Sequence, residues 1–314
     1  MGRHLAYRLL SAIPVLIVVS LVSFLIIFLV PGDPASEIAG PGATVEEVAR
    51  IRDSLGLDQH VGIQMLTWYG RLLQGDLGQS ILLNRSVIAA ILERAPVTLS
   101  LALLALTLSL SLALVLGVLA AVKQNTWVDQ FAMTLALLGL SLPDFWVGLA
   151  MIYLFAVLLG WLPTGGYVEL SQGLGPWLRS LIMPAAALGM AQLGLIARIT
   201  RSTMLEVLRQ DYVRTARAKG VPERRVIDKH ALANALIPVV TVAGISVGIL
   251  LGGAVVVESV FALPGVGRLI IGAILRRDYP VIQGGLLLTA SIYVFVNILV
   301  DILYTWLDPR VRYE

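Results

Sequence analysis

Residues 198 to 229 read RITRSTMLEVLRQDYVRTARAKGVPERRVIDK, a polar and strongly basic run set between two long apolar segments. A charged side chain at the centre of a bilayer costs about 2.5–3.5 kcal/mol on insertion scales, so a run this rich in Arg and Lys lies in water while its neighbours lie in hydrocarbon. A water-facing loop between two spans is placed to meet another protein. The chain reads as the membrane half of a larger machine.

Composition agrees with that reading. The chain is 58% apolar and only 14% charged, with a mean hydropathy of +0.87, whereas about a quarter of residues are charged in soluble domains. The net charge of +3 and the isoelectric point near 9.3 come from basic residues beside apolar spans, without interleaved aromatics. They point to membrane orientation and to no nucleic acid. The absence of Cys excludes disulfides, thiolate metal sites and a cysteine nucleophile. Arg3 and Arg8 flank the first apolar run, Leu9–Val30, as in a signal peptide. That run is too long for such a peptide and no small-residue cleavage site follows, so it is expected to be a retained span.

A hydrocarbon core of roughly 30 Å takes about 20 apolar residues of helix. Six spans are expected: Leu9–Val30, Ala95–Val122, one within Phe131–Leu159, Leu181–Ala197, Ala235–Val257 and Val281–Val300. Pro143 near the middle of the third predicts a kink or a break into two pieces. With the N-terminus inside, the cytoplasmic face collects Arg3, Arg8, Lys123, the 198–229 cluster, Arg310 and Arg312. The other face keeps Arg179, Arg268, Arg276, Arg277 and five Arg of the long segment after the first span. Both termini are therefore expected in the cytoplasm.

The expected organisation is an N-terminus and first span in 1–30, an external helical cap in 31–94, a membrane core in 95–307 and a cytoplasmic tail in 308–314. The core contains a cytoplasmic loop, 198–234, and an outer excursion, 258–280. In the cap, Thr44 with Glu47 forms a capping box ahead of a helix through Val48, Ile51 and Leu55. Leu66, Tyr69 and Leu72 continue helical spacing after a turn near Gly56. In the basic loop, Asp211–Lys219 has the composition of a short helix stopped by Gly220 and Pro222, and a new helix is expected from Glu223 toward Pro238. No duplicated half is visible, so a symmetric pathway requires a second subunit.

The chain has no P-loop, no HExxH and no GxSxG elbow, and its three His (His4, His60, His230) are scattered. No catalytic residue and no metal site is expected. Asp144, Glu258 and Asp301 are the acids in or near apolar segments. Each either faces a pathway or, for Glu258 and Asp301, sits in interfacial water at a span end. Asp144 follows Pro143, where unwound backbone can line a cavity. The outer excursion holds the turn Pro264-Gly265-Val266-Gly267. Asp144, Glu258, Pro264, Gly265 and Gly267 are the candidate pathway or gate residues.

The loop resembles that of permease subunits of ATP-binding-cassette importers, specifically the B-type permease of the dipeptide, oligopeptide, nickel and glutathione branch. The family's EAA loop reads E-A-A-x-x-x-G with I-x-L-P further on. Here Gly220 aligns with the glycine, Ala216 with the third EAA position and Leu232 with the leucine, while Arg214, Thr215, His230 and Ala233 depart from the consensus. The branch-specific pattern YVRTARAKG followed by HALxNxxIP is matched by Tyr212–Gly220 and His230–Pro238. The stretches Val30–Ala35, Leu55–Gln59, Gly75–Gly78, Ser141–Pro143 with Phe145-Trp146, Glu258–Gly267, Arg277–Gln283 and Leu307–Arg310 follow in the family's order.

The resemblance implies an all-α inner-membrane fold of about six spans, the type I importer permease fold, with a small external helical insertion. It implies as partners a second related permease forming a heterodimer, two ATP-binding subunits that hold Mg-ATP, and an external substrate-binding protein. The chain itself would carry no cofactor. Asp211, Tyr212, Arg214, Thr215, Ala216, Arg217, Lys219 and Gly220 would form the coupling helix that seats in the ATPase. Arg214 stands where the consensus has Glu, so that contact would have to meet an acid. Peptides are the first expected substrate, glutathione the second and a nickel chelate the third. The competing reading from another class is a self-sufficient ion-coupled carrier or channel with Asp144 and Asp301 as ionic sites.

Overall fold

The structure is a computed structural model in which residues 2–29, 33–40, 42–54 and 56–307 are described, with side chains described within 10–299. The tail 308–314 and the side chain of Asp301 lie outside the described part.

A long apolar helix, α1 (Gly2–Leu29), is followed by three short ones, α2 (Pro34–Ala39), α3 (Val45–Ser54) and α4 (Val61–Leu73). The expected capping box opens α3: the Thr44 N–H donates to Glu47 Oε2 at 2.8 Å and the Glu47 N–H to Thr44 Oγ1 at 3.3 Å. A small antiparallel hairpin of β1 (Gln79–Ser80) and β2 (Arg85–Ser86), not foreseen in the sequence, leads into α5 (Val87–Val122).

The third apolar segment is two helices, α6 (Trp127–Ser141) and α7 (Asp144–Met151), the latter running on as a π-helical stretch, Ile152–Leu158. The two meet at 108°. The break is where the kink is expected: the ring of Pro143 drives Leu142 out of the helical region, to φ −92° and ψ 132°.

Next comes α8 (Leu174–Leu208), then α9 (Asp211–Ala218), a single turn α10 (Glu223–Arg225), a π-helical stretch Val226–Leu232, and α11 (Ala233–Val260). The short helix α12 (Val266–Leu275) precedes α13 (Tyr279–Leu307). Five of these helices are long and apolar enough to cross a bilayer, and the bent α6–α7 pair makes a sixth if it counts as one crossing. Helix α8 runs past the expected span end at Ala197 and carries the first third of the basic run to Leu208, because an apolar-run criterion marks the hydrocarbon and not the helix. The helix expected from Glu223 toward Pro238 continues into the expected span from Ala235 as one helical stretch, with Pro238 inside α11.

The core is assembled from small residues. Lipid tails are as apolar as leucine, so helices associate through close backbone approach. Helix α8 is the central one. A Cβ at Gly189 would lie 2.8 Å from the Ala105 carbonyl of α5, and one at Gly117 would lie 2.7 Å from the Ala197 carbonyl. On its other side, a Cβ at Gly139 of α6 would lie 2.7 Å from the Met190 carbonyl. Large apolar side chains such as Leu101, Leu181 and Ile196 fill the space between these contacts, while Leu103, Leu112 and Val115 of α5 are exposed as a lipid-facing surface.

Polar links are few. Ser246 of α11 donates to Gln192 Oε1 of α8 at 2.7 Å inside the bundle. Arg201 of α8 holds Asp129 of α6 by two bonds of 2.6 and 2.7 Å.

Candidate functional site

Helix α9 stands at the polar end of α8, and its sequence explains its shape. Val213 and Ala216 are buried on one side and pack with Val226, Leu208 and Val221 in a core of their own. The opposite face, with Asp211, Arg214, Thr215 and Lys219, is exposed. The helix ends in a Schellman motif: the Val221 N–H donates to the Ala216 carbonyl at 3.2 Å and the Gly220 N–H to the Arg217 carbonyl at 2.9 Å. That motif requires a left-handed residue, and Gly220 supplies it with φ +75°.

Of the eight residues expected to form the docking element, seven surround or terminate this helix with exposed surface. Ala216 is the exception, because it faces the loop's own core at 9% exposure. Arg217 makes a two-pronged pair with Glu223, at 3.1 and 2.7 Å. These bonds hold its guanidinium still more firmly protonated and fix α9 against the turn at Pro222. Tyr212 reaches the His230 carbonyl at 3.4 Å. Arg214 makes only a long 3.5 Å contact with Asp211, both largely exposed, which leaves its charge at the surface.

The second group forms around Glu258, which is fully buried at the end of α11. Interfacial water at the span end is therefore the wrong environment for it. Its Oε1 accepts the Thr98 hydroxyl at 2.5 Å and its Oε2 accepts the Arg268 N–H at 2.9 Å, with the Gly267 N–H directed at the same carboxylate. Thr98 Oγ1 in turn accepts the Val266 N–H at 2.9 Å. The first three N–H groups of α12, which have no partner within the helix, are thus capped by a carboxylate from α11 and a hydroxyl from α5. The glycines are what allow it. A Cβ at Gly265 would collide with the Glu258 carboxyl, and one at Gly267 would lie 2.6 Å from Val255 Cα. Pro264 is exposed on the connecting turn.

Asp144 is not part of this group. It opens α7 beside Gly253 of α11, whose Cβ, if present, would lie 3.5 Å from Asp144 Oδ2. Gly253 and Glu258 are five residues apart on α11, about 140° around its axis. Asp144 is half-buried and makes no hydrogen bond or ion pair with the described residues.

Several polar residues were not singled out by the sequence. Thr98 is one of five hydroxyl residues in the otherwise apolar Ala95–Val122 run, and nothing marks it out from the other four. Asp129 and Arg201 each resemble ordinary flanking charges. Asp278, within a recognisable turn, accepts the Ser80 hydroxyl at 2.5 Å from 198 positions away. Among the described residues no group of His, Asp or Glu is arranged to hold a metal ion.

Residues 113–313 match the profile of the family described as the binding-protein-dependent transport system inner membrane component, and residues 1–102 match the N-terminal family of that component. The chain is 52% identical over 307 residues to a Brucella abortus protein named as a peptide transport system permease, covering 98% of each. It is 43% identical over 314 residues to the glutathione transport system permease protein GsiC of Salmonella typhimurium, covering 100% of each. Among solved structures, an inward-facing MetNI methionine ABC transporter matches with a TM-score of 0.58 at 19% identity, over 70% of this chain and 97% of that chain. This last likeness concerns the fold.

Proposed function

Since the chain belongs to the family of inner membrane components of binding-protein-dependent transport systems, a non-catalytic permease subunit of an ABC importer, we propose that it conducts peptides inward while ATP is hydrolysed on separate subunits. The proposed complex contains a second, related permease, two ATPase subunits with Mg-ATP and an external binding protein. The termini and α9 face the cytoplasm, and the 31–94 cap faces the binding protein.

The observation that carries this reading is the build of α9. A loop that merely oriented the chain would need no internal core, no helix stop and no arginine clamp. Here Val213, Ala216 and Val226 hold a rigid helix whose outward side is free of neighbours in the chain. A nucleotide-driven machine needs such a contact, because ATP shifts the equilibrium only through a surface that differs between its states. The capped turn at Glu258 lies at the opposite end of α11, and in this proposal it is the rigid rim of the outer gate. Asp144, beside the small residues of α11, is proposed to face the pathway and to attract the ammonium of a passing peptide.

Peptide is preferred as the substrate because the relatives of higher identity carry that name. Glutathione, itself a small peptide, is the second choice. The test is copurification of the tagged chain from its native membrane, comparing wild type with Thr215→Trp on the outward side of α9. Wild type should bring down a second permease and ATPase subunits whose activity a binding protein stimulates. The variant should lose the ATPase subunits at unchanged yield of the chain. Full retention of ATPase and uptake in Thr215→Trp would defeat the docking proposal, and uptake of glutathione but not of other peptides by the reconstituted complex would defeat the substrate choice.

A further inference from the structure

Between α12 and the start of α5 lies a cleft of about 210 Å³ with three arginines at its rim, Arg94, Arg268 and Arg276. Arg268 stands one helical turn before Gly272, and Arg276 caps the end of α12 four residues after it, so the glycine leaves the space between them open. A Cβ at Gly272 would meet nothing within 4 Å. None of the three guanidiniums has an acidic partner among the described residues. Two acids lie near, and neither forms an ion pair with these arginines. Glu93 is held by Arg85 at 2.6 Å. Asp278, which lines the cleft, accepts the Ser80 hydroxyl at 2.5 Å and the Leu82 N–H at 3.2 Å. Arg85 and Arg268 lie within electrostatic reach of Arg94, where Glu93 opposes them in part, so with Asp278 as its one lining acid the cleft keeps an excess of positive charge among the described residues.

The setting selects the anion. Arg94 immediately precedes the apolar run that begins at Ala95, which puts it at the boundary between hydrocarbon and water. Helix α12 is too short to span, and it leaves Ile274 and Leu275 exposed at 52% and 79% next to the arginines. Leu82 and Leu83, also on the cleft, are exposed at 47% and 40%. Paired guanidiniums favour phosphate oxygens, and exposed leucines beside them favour acyl chains. We propose that Arg94, Arg268 and Arg276 bind the headgroup phosphate of an anionic phospholipid, which the surrounding leucines hold at the membrane boundary. The bound lipid would supply the missing negative charge and pin α12, whose N-terminus carries the Glu258 cap.

The experiment uses the assembled complex in nanodiscs of mixed phosphatidylglycerol and phosphatidylcholine, released for native mass spectrometry. Wild type should retain phosphatidylglycerol in preference to phosphatidylcholine. Replacing the three arginines together by Gln should lower that retention about tenfold or more. Gly272→Leu, which fills the gap without changing charge, should lower it comparably, and Arg179→Gln elsewhere should not. Unchanged retention in both cleft variants, or equal retention of the two lipids by wild type, overturns the proposal. So does loss of a partner subunit from the arginine variant with lipid retention intact, since the cleft would then serve an acidic protein surface. ATPase stimulation by the binding protein, followed in the same samples, reports separately on the transport reading.

Discussion

The α9 turn and the α12 turn both end or begin a short helix next to a long one, yet they satisfy their backbones in opposite ways. At α9 everything is local. Gly220 closes the Schellman motif, Arg217 clamps Glu223 six residues on, and the charges stay in water. At α12 the carboxylate comes from the end of the preceding α11, ten residues before Arg268, but the hydroxyl comes from afar, Thr98 of α5, and the carboxylate is fully buried. Water is available to repair any flaw in the first turn. In the second, an unmade bond stays unmade, so the same kind of loss has a larger effect there.

The sharpest way to break this contrast is Glu258→Ala. It strands the Thr98 hydroxyl and the N–H groups of Gly267 and Arg268, at about 1–3 kcal/mol for each buried unsatisfied group. We expect a destabilisation of about 3–5 kcal/mol, read as a lower thermal midpoint of the purified complex, with Glu258→Gln milder because it keeps an acceptor. A midpoint unchanged by Glu258→Ala would mean the turn is as solvent-tolerant as α9.

Arg201→Leu tests an intermediate case. It leaves Asp129, whose side chain is 6% exposed, without the guanidinium that holds it. A loss of about 2–3 kcal/mol is expected, and exchange of the two residues, Asp129→Arg with Arg201→Asp, should recover part of it.

Gly220→Val should be weaker. The left-handed backbone disfavours a β-branched residue by about 1–2 kcal/mol, but the site is open and no packing is lost. Gly220→Asn should be nearly neutral. Proteolysis of the loop in membranes would read the difference, and equal protection in Val and Asn variants would remove the case for a left-handed cap.

The smallest effect is expected at the solvated capping box. Bonds from the Thr44 N–H and hydroxyl hold the Glu47 carboxyl below the usual carboxylate range. Because the folded value is lowered, its contribution is present above the unfolded pKa and is lost as pH falls through the folded one, on the acid side of about pH 4. Amide exchange of Val45–Ser54 should quicken there, and Thr44→Ala should flatten the pH dependence.

Local chemistry explains which features could be read from the chain. The Thr44–Glu47 box, the break at Pro143 and the stop at Gly220 each depend on residues a few positions apart, so their spacing is visible without a fold. The candidate site was only partly visible. Glu258, Gly265 and Gly267 stood out as an acid and a turn in apolar surroundings. That they form one cap depends on Thr98, 160 positions away, in a run where nothing distinguishes it. Asp144 was grouped with Glu258 on chemistry, while the geometry of α11 sets them on different faces. Ala216 was grouped with the docking surface on sequence position, while its neighbours Val213 and Val226 draw it inward.

The sequence by itself determined that this is a helical membrane protein with a structured polar loop, because hydropathy and short-range turn chemistry act within a few residues. Only the tertiary structure decided which face of each helix is buried, where the small residues of α5, α6 and α8 meet, and which distant hydroxyl completes the cap of α12. Those outcomes depend on how whole helices pack, and packing brings together atoms whose separation along the chain carries no trace of their contact.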